Sequence, residues 1–546
     1  MKKKFLFLFT MIIFCVLSFA FESVAADGDF NEKSVLKYKI ENEAVTITGC
    51  DSTVTEVEIP SEINGYPVKY IGGGAFYGCY NITSIVLPDS VTNIDDMVFA
   101  YCDSLESVII GNNVENIGAH AFLECYSLIN INIPDSVKIM GDQMFYGCSN
   151  LERVTIGSGV EQLCDRTFED CSSLATIFVD ESNTCYFSDE NGLLFNKNKT
   201  RLIQYPAQNK AVNYSIPNSV VEIGDVAFAY CKYLTTIFIP CGVKNVSDDT
   251  FRNCKSLISI IVDENNIYYS SDGNGVLFNK DKTTLISYPG GKKESSYVIP
   301  DGVKNICESA FHYCYNLTDI VISDSVTDIA DYTFYQLNTL KSVVIGKGVK
   351  NIGRYAFGYC YNLKSVVIGD SVTNIDGCAF YKCKRLINVV IPDSVTNINK
   401  YAFYDCNNLA GITIGNGVAN VGNKAFYGCY NLSAIYYRGT EEEWKKIDVD
   451  LSNTYLLDID INFLMFTKTS ISADSKSFII TPVNIKNGKT VILALYDDER
   501  FVEMQSAIYE GESIPLITSK TYTNAKVMVW DDFITLKPVC NAEIVK

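Results

Sequence analysis

Residues 117–140 read Ile117-Gly118-Ala119-His120-Ala121-Phe122-Leu123-Glu124-Cys125-Tyr126-Ser127-Leu128-Ile129-Asn130-Ile131-Asn132-Ile133-Pro134-Asp135-Ser136-Val137-Lys138-Ile139-Met140. Leu128 followed by the alternation Ile131-Asn132-Ile133 is the pattern of a strand with one buried face. Pro134-Asp135-Ser136 turns the chain and Val137 re-enters the core, while Ala121, Phe122 and Cys125 fill the other side. The unit returns in fixed phase. Phe stands at 76, 99, 122, 145 and 168, at 228 and 251, and at 311, 334, 357, 380, 403 and 426, with 23 residues between neighbours in a block. The two gaps between blocks are 60 residues, one period plus 37. A single unit cannot bury its own apolar face, so the units stack as coils around a shared core. The span from Phe76 to Phe426 holds about 15 coils, roughly 70 Å at ~4.8 Å per stacked strand.

The pattern Leu-x-x-Ile-x-Ile-Pro-x-x-Val-x-x-Ile-Gly-x-x-Ala-Phe-x-x-Cys resembles the BspA-like class of leucine-rich repeat over about residues 38–447. Val45-Thr46-Ile47-Thr48-Gly49 and Gly65-Tyr66-Pro67-Val68 are similar to the first coils of that family, and Tyr437-Arg438-Gly439-Thr440-Glu441-Glu442-Glu443-Trp444 to its closing segment. The resemblance implies a secreted or surface protein, and some members of the family are implicated in adhesion to host extracellular matrix proteins.

The fold class expected is therefore a β-rich leucine-rich-repeat solenoid followed by a small all-β sandwich. Its parts are a signal peptide (1–26), an N-terminal cap with the first coils (27–70), the solenoid (71–447), a linker (448–462) and the sandwich (463–546). Three lysines, the apolar run 5–21 and Val24-Ala25-Ala26 make the leader that of an exported protein, extracellular or held at the cell surface. No membrane span is expected once it is cleaved. The strand-like runs 477–480, 490–496, 501–504, 513–517 and 525–530 suggest the sandwich, and its end resembles an accessory module of secreted proteins of anaerobic Firmicutes. The two insertions align with each other, residues 180–206 on 263–289, and the Asn191-Gly192 and Asn274-Gly275 pairs read as hairpin turns rather than calcium loops.

Composition excludes several classes of function. The 546-residue chain carries 64 acidic and 45 basic residues, a formal charge of -19 that argues against nucleic-acid binding. It holds two histidines, His120 and His312, in different phases of the repeat and expected far apart on the surface. No nucleophile elbow, phosphate loop or His-Glu-x-x-His is present, so no catalytic residue, metal site or cofactor is expected. Twelve of the 20 cysteines fall three residues after a repeat Phe, and Leu337 takes the thirteenth place. Parallel side chains ~4.8 Å apart suit neither disulfides nor a tetrahedral metal, so the column reads as buried free thiols. Cys50, Cys164, Cys185, Cys241, Cys307, Cys378 and Cys540 lie off it and leave room for a stray disulfide.

Binding is the function left. Between the two buried aliphatics of each strand one residue should face outward, and that column is mainly apolar. Val86, Ile109, Phe178, Phe238, Ile261, Val321, Val344, Val367, Val390 and Tyr436 form the candidate recognition stripe. Its expected ligand is a protein, with a host matrix protein as the example that the family resemblance supplies. The alternative is a carbohydrate- or envelope-binding module that uses the tyrosines beside the Phe turns, such as Tyr77, Tyr126, Tyr361 and Tyr430, and the C-terminal sandwich.

Overall fold

The computed structural model describes residues 35–463, together with the backbones of strands between 465 and 545. The leader expected at 1–26 lies outside the described residues. From residue 36 onward the chain winds as a β-solenoid whose coils are held together on three sides. On the first side, strands of three or four residues pair in parallel one period apart: Asn130–Ile133 lies on Arg153–Ile156 with Ile131 opposite Val154, and Arg153–Ile156 lies on Thr176–Val179. This face comprises blocks of three, three, three and eight strands. On the second side, two-residue strands such as Asn93–Ile94, Asn116–Ile117 and Ile139–Met140 form a parallel ladder.

The third side has no strands, yet it is hydrogen-bonded coil to coil. The N–H of Phe99 donates to Ala121 O (2.8 Å), that of Phe122 to Met144 O (2.9 Å) and that of Phe145 to Thr167 O (3.0 Å). All thirteen residues two positions after a repeat Phe have a left-handed backbone, from Gly78 (φ 68) to Gly428 (φ 81), with Tyr101, Glu124 and Lys382 among them. That conformation turns each Phe inward while the following Cys returns to the core. Phe76, Phe99, Phe122 and Phe145 stack at centroid distances of 5.1–5.5 Å, and Phe357, Phe380, Phe403 and Phe426 at 5.0–5.2 Å. Ten of the column thiols donate to the carbonyl 26 residues earlier, as Cys125 Sγ does to Phe99 O at 3.1 Å.

The insertions are coils in their own right. Tyr205 and Tyr288 occupy the Phe position and stack on Phe228 and Phe311 (5.1 and 5.2 Å), and the Tyr205 N–H bonds Ala227 O as a Phe would. In each insertion a three-stranded antiparallel ribbon replaces the short strand, 186–188, 194–196 and 201–204 in the first. The ribbons part the interior into three apolar clusters, with breaks near 177–203 and 260–286.

The solenoid is closed at both ends. Strand Leu36–Glu41 folds antiparallel on Ala44–Cys50, which starts the second-side ladder. With this hairpin the solenoid has about 18 turns. At the other end residues 448–462 are not a linker. Asp448–Val449 pairs with Asn420–Val421, Ile461–Phe463 pairs with Ile435–Tyr437, and Leu456 is fully buried between them. The acidic, polar composition that suggested a linker is that of a coil whose outward positions happen to be charged. Past this coil the backbone forms two antiparallel sheets, Met465–Ile471 with Ser477–Val483 and Ile514–Ile517, and Arg500–Ile508 with Thr490–Asp497, Asn524–Trp530 and Glu543–Val545. The packing expected of a sandwich there falls on side chains outside the described residues.

Candidate interaction face

The strands of the first side alternate as the sequence requires, so their odd positions look outward. In Asp319–Ile322 and Ser342–Ile345, Ile320, Ile322, Val343 and Ile345 are buried, while Val321 and Val344 are 38% and 40% exposed. Ile109 (62%), Phe178 (47%), Ile261 (44%) and Val367 (58%) stand equally open, and Val86, Phe238, Val390 and Tyr436 are half-buried on the same row. All ten candidate residues thus share one face. Two members of the row escaped the sequence reading because they lie in the insertion coils. Val298, 62% exposed, precedes Val321 in the eight-strand block, and Ser215 stands before Phe238 in the block that ends at Ile261. Within the eight-strand block the exposed aliphatics run through Val298, Val321, Val344 and Val367, with Val390 half-buried beyond them.

The tyrosines make a different surface. Tyr381, Tyr404 and Tyr427 stack face to face at 5.0 and 5.4 Å, and Tyr332 stacks on Tyr355 at 5.3 Å. Their faces are taken by one another, and ammonium groups such as Lys382 lie over others, leaving mainly edges to solvent. Tyr77, Tyr80, Tyr126 and Tyr430 are more open, at 41–60% exposure.

The two histidines are not the plain surface residues that the sequence suggested. His120 Nε2 shares a 2.9 Å hydrogen bond with Gln143 Oε1, and Gln143 Nε2 donates to Glu169 Oε2 at 3.2 Å. Glu169 in turn takes Arg166 and Arg252, each at 3.1 Å, and Arg166 reaches Asp249 at 3.2 Å. Arg166 and Asp249 are 83 residues apart. His312 packs on Tyr313 (4.2 Å) and faces Arg252, Asp249 and Tyr335, and neither ring nitrogen has a partner. Burial, aided by the Arg252 charge, lowers its pKa to about 4. Burial also pushes the Glu169 carboxyl up despite its two guanidinium partners. This polar seam joins the turns on either side of the insertions. Its carboxylates and guanidiniums pair with one another across the insertion, which makes it a joint between these turns.

Among the described residues no group of three or more His, Cys, Asp or Glu side chains is placed to hold a metal ion. No helix among them is long and apolar enough to cross a membrane. A cavity of about 370 Å³ lies beside the first ribbon, lined by Asp165, Tyr186, Asn196 and Arg201 among others, and stands apart from the apolar row.

A family model described as BspA type leucine rich repeat region matches six copies, over residues 49–191, 207–293, 287–410 and 378–450. Among solved structures, a leucine-rich cell surface protein from Faecalibacterium prausnitzii is 26% identical, over 79% of this chain and 99% of its own, with a TM-score of 0.46. A leucine-rich repeat protein from Eubacterium ventriosum is 23% identical over 73% of this chain and 94% of its own, with a TM-score of 0.43. The pneumococcal vaccine antigen PcpA is 20% identical over 80% and 93%, with a TM-score of 0.35. No curated protein matches the chain.

Proposed function

The chain belongs to the BspA-type leucine-rich-repeat family, and from that premise we propose that it is a non-catalytic binding protein. It works outside the cell, secreted or surface-held, and docks another macromolecule, first of all a protein, on its long-strand face. The observation that carries this reading is the row of exposed aliphatics from Val298 to Val367 on the eight-strand block. A stripe of that extent on a soluble surface has an energetic cost that a partner removes. The rest of the surface supports a partner with a basic rim, because the chain carries a formal charge of -19. Host matrix proteins are the class to try first. A glycan bound by stacking is disfavoured by the tyrosine ladder, whose faces are already covered.

The test is binding of the full chain to immobilised matrix proteins, mucin and bacterial wall glycans, beside a Val344→Asp/Val367→Asp variant. Both substitutions lie on exposed positions and leave the core untouched. Protein binding should fall at least roughly tenfold in the variant and weaken with added salt in the parent. Binding that ignores both the substitutions and salt would place recognition elsewhere, on the open tyrosines or the C-terminal region.

A further inference from the structure

Ten column thiols donate to the backbone carbonyl 26 residues earlier, on the neighbouring coil. Cys79, the first of the column, does something else. Its Sγ lies 3.1 Å from Sγ of Cys50, the last residue of strand Ala44–Cys50. We propose that Cys50 and Cys79 are a redox pair that closes to a disulfide, stapling the N-terminal hairpin to the first Phe turn. The sulfurs of Cys125 and Cys148, and of Cys231 and Cys254, also interact, but each of those pairs includes a thiol that donates to a carbonyl of the neighbouring coil.

Three observations carry the assignment. A disulfide needs the sulfurs about 1 Å closer than they stand, and the exposed turn Asp51-Ser52-Thr53 beside Cys50 can yield that movement. Cys50 is partly exposed and Cys79 is 6% exposed, so the pair lies at the edge of the core, where a small reagent can approach. The hydrogen bond from Cys50, and then the Lys37 ammonium, favour the thiolate of Cys79, while the same hydrogen bond and burial push the Cys50 thiol up, so Cys79 is the attacking sulfur and Cys50 the resolving one.

The reaction with a small disulfide R–S–S–R balances. Cys79 as thiolate attacks one sulfur and releases R–S⁻, which takes up a proton. Cys50, its proton passed to solvent, then attacks the Cys79 sulfur, forms the intramolecular bond and expels the second R–S⁻, protonated in turn. The protein dithiol loses two electrons and the reagent gains them. The hairpin guards the open end of the stacked core, where a solenoid frays first, so the bond governs how firmly that end is shut.

The test uses the full chain held in mixtures of oxidised and reduced glutathione, quenched in acid and mapped by mass spectrometry. The expected product is a peptide cross-linked between Cys50 and Cys79, with Cys164 and Cys241 carrying glutathione as separate adducts. In parallel, amide hydrogen exchange in 44–50 and 66–71 should slow roughly tenfold on oxidation, an effect lost in Cys50→Ser. Cys50 and Cys79 recovered free, each glutathionylated without a cross-link, or joined to other cysteines would overturn the proposal. The mapping needs no variant, so it decides even if Cys50→Ser folds poorly.

Discussion

At the scale of single residues, cysteine rather than another small hydrophobe fills the column because its S–H can donate to the Phe carbonyl below. That carbonyl already accepts the N–H of the cysteine in its own turn, and the thiol of the next coil fills its second lone pair, which an alanine or valine could not do. Burial pushes Cys102, Cys360 and Cys429 up to about 12, so the reactive thiolate is scarce. A short native pulse of an alkylating reagent should therefore label the exposed Cys164 and Cys241 and spare Cys125, Cys383 and Cys406, all of which should react in denaturant. Native labelling of the column would contradict this packing. His312 makes a second residue-scale expectation. The unfolded chain protonates it near pH 6.5 and the folded chain only near 4, so its contribution is present above pH 6.5 and lost as the pH falls toward 4. The full swing is on the order of 3 kcal/mol. Melting curves over that range should slope less for His312→Leu than for the parent. The Phe and Cys columns were legible because identity repeats every 23 residues. The burial of His312 was not, because it depends on turns that the insertions bring beside it. The left-handed turn position left a trace that went unread: Gly stands there at 78, 147 and 428.

Among elements, the insertions reveal a motif that the alignment contained but did not explain. Asn183 is fully buried, donates through Nδ2 to Gly157 O and Val160 O (both 3.0 Å) and accepts from the Cys185 and Tyr186 N–H groups. Asn266 repeats this with Pro240 O, Val243 O, Tyr268 and Tyr269. Asn453, in the coil that closes the solenoid, accepts from Phe426 N–H and donates to Gly422 O. Each stands three residues after an aspartate, Asp180, Asp263 or Asp450. One amide thus satisfies backbone groups that a regular coil would have paired. Asn183→Ala strips four such groups of their partner and should cost about 3 kcal/mol or more, measured by denaturant unfolding. A loss below ~1 kcal/mol would mean that water replaces the amide. The hairpins were readable from Asn-Gly, whereas the role of Tyr205 and Tyr288 was hidden because Tyr replaces Phe and the insertion shifts the period, although a ring at that place is what the stack requires.

For the whole molecule, the three apolar clusters matter more than the coil count. Cooperativity in a stacked array runs only as far as neighbouring interfaces are strong. The ribbons interrupt those interfaces near 177–203 and 260–286, and at the first break the buried Glu169–Arg252 pair bridges the two sides by charge. Hydrogen exchange should resolve three protection blocks with boundaries at the ribbons. A single block with one opening energy would refute this division. The overall architecture was legible from period alone, but the seam was not, since Arg166 and Asp249 stand 83 residues apart, across the first insertion, and share no repeat pattern. The strict one-period register carries a consequence for the gene. Adjacent coils such as 342–345 and 365–367 present the same paired edges to either neighbour, so the loss or gain of one coil's worth of codons within the eight-strand block rejoins matching surfaces. Slippage during replication could then lengthen or shorten the molecule without redesigning its fold, and inheritance could tune its reach one coil at a time.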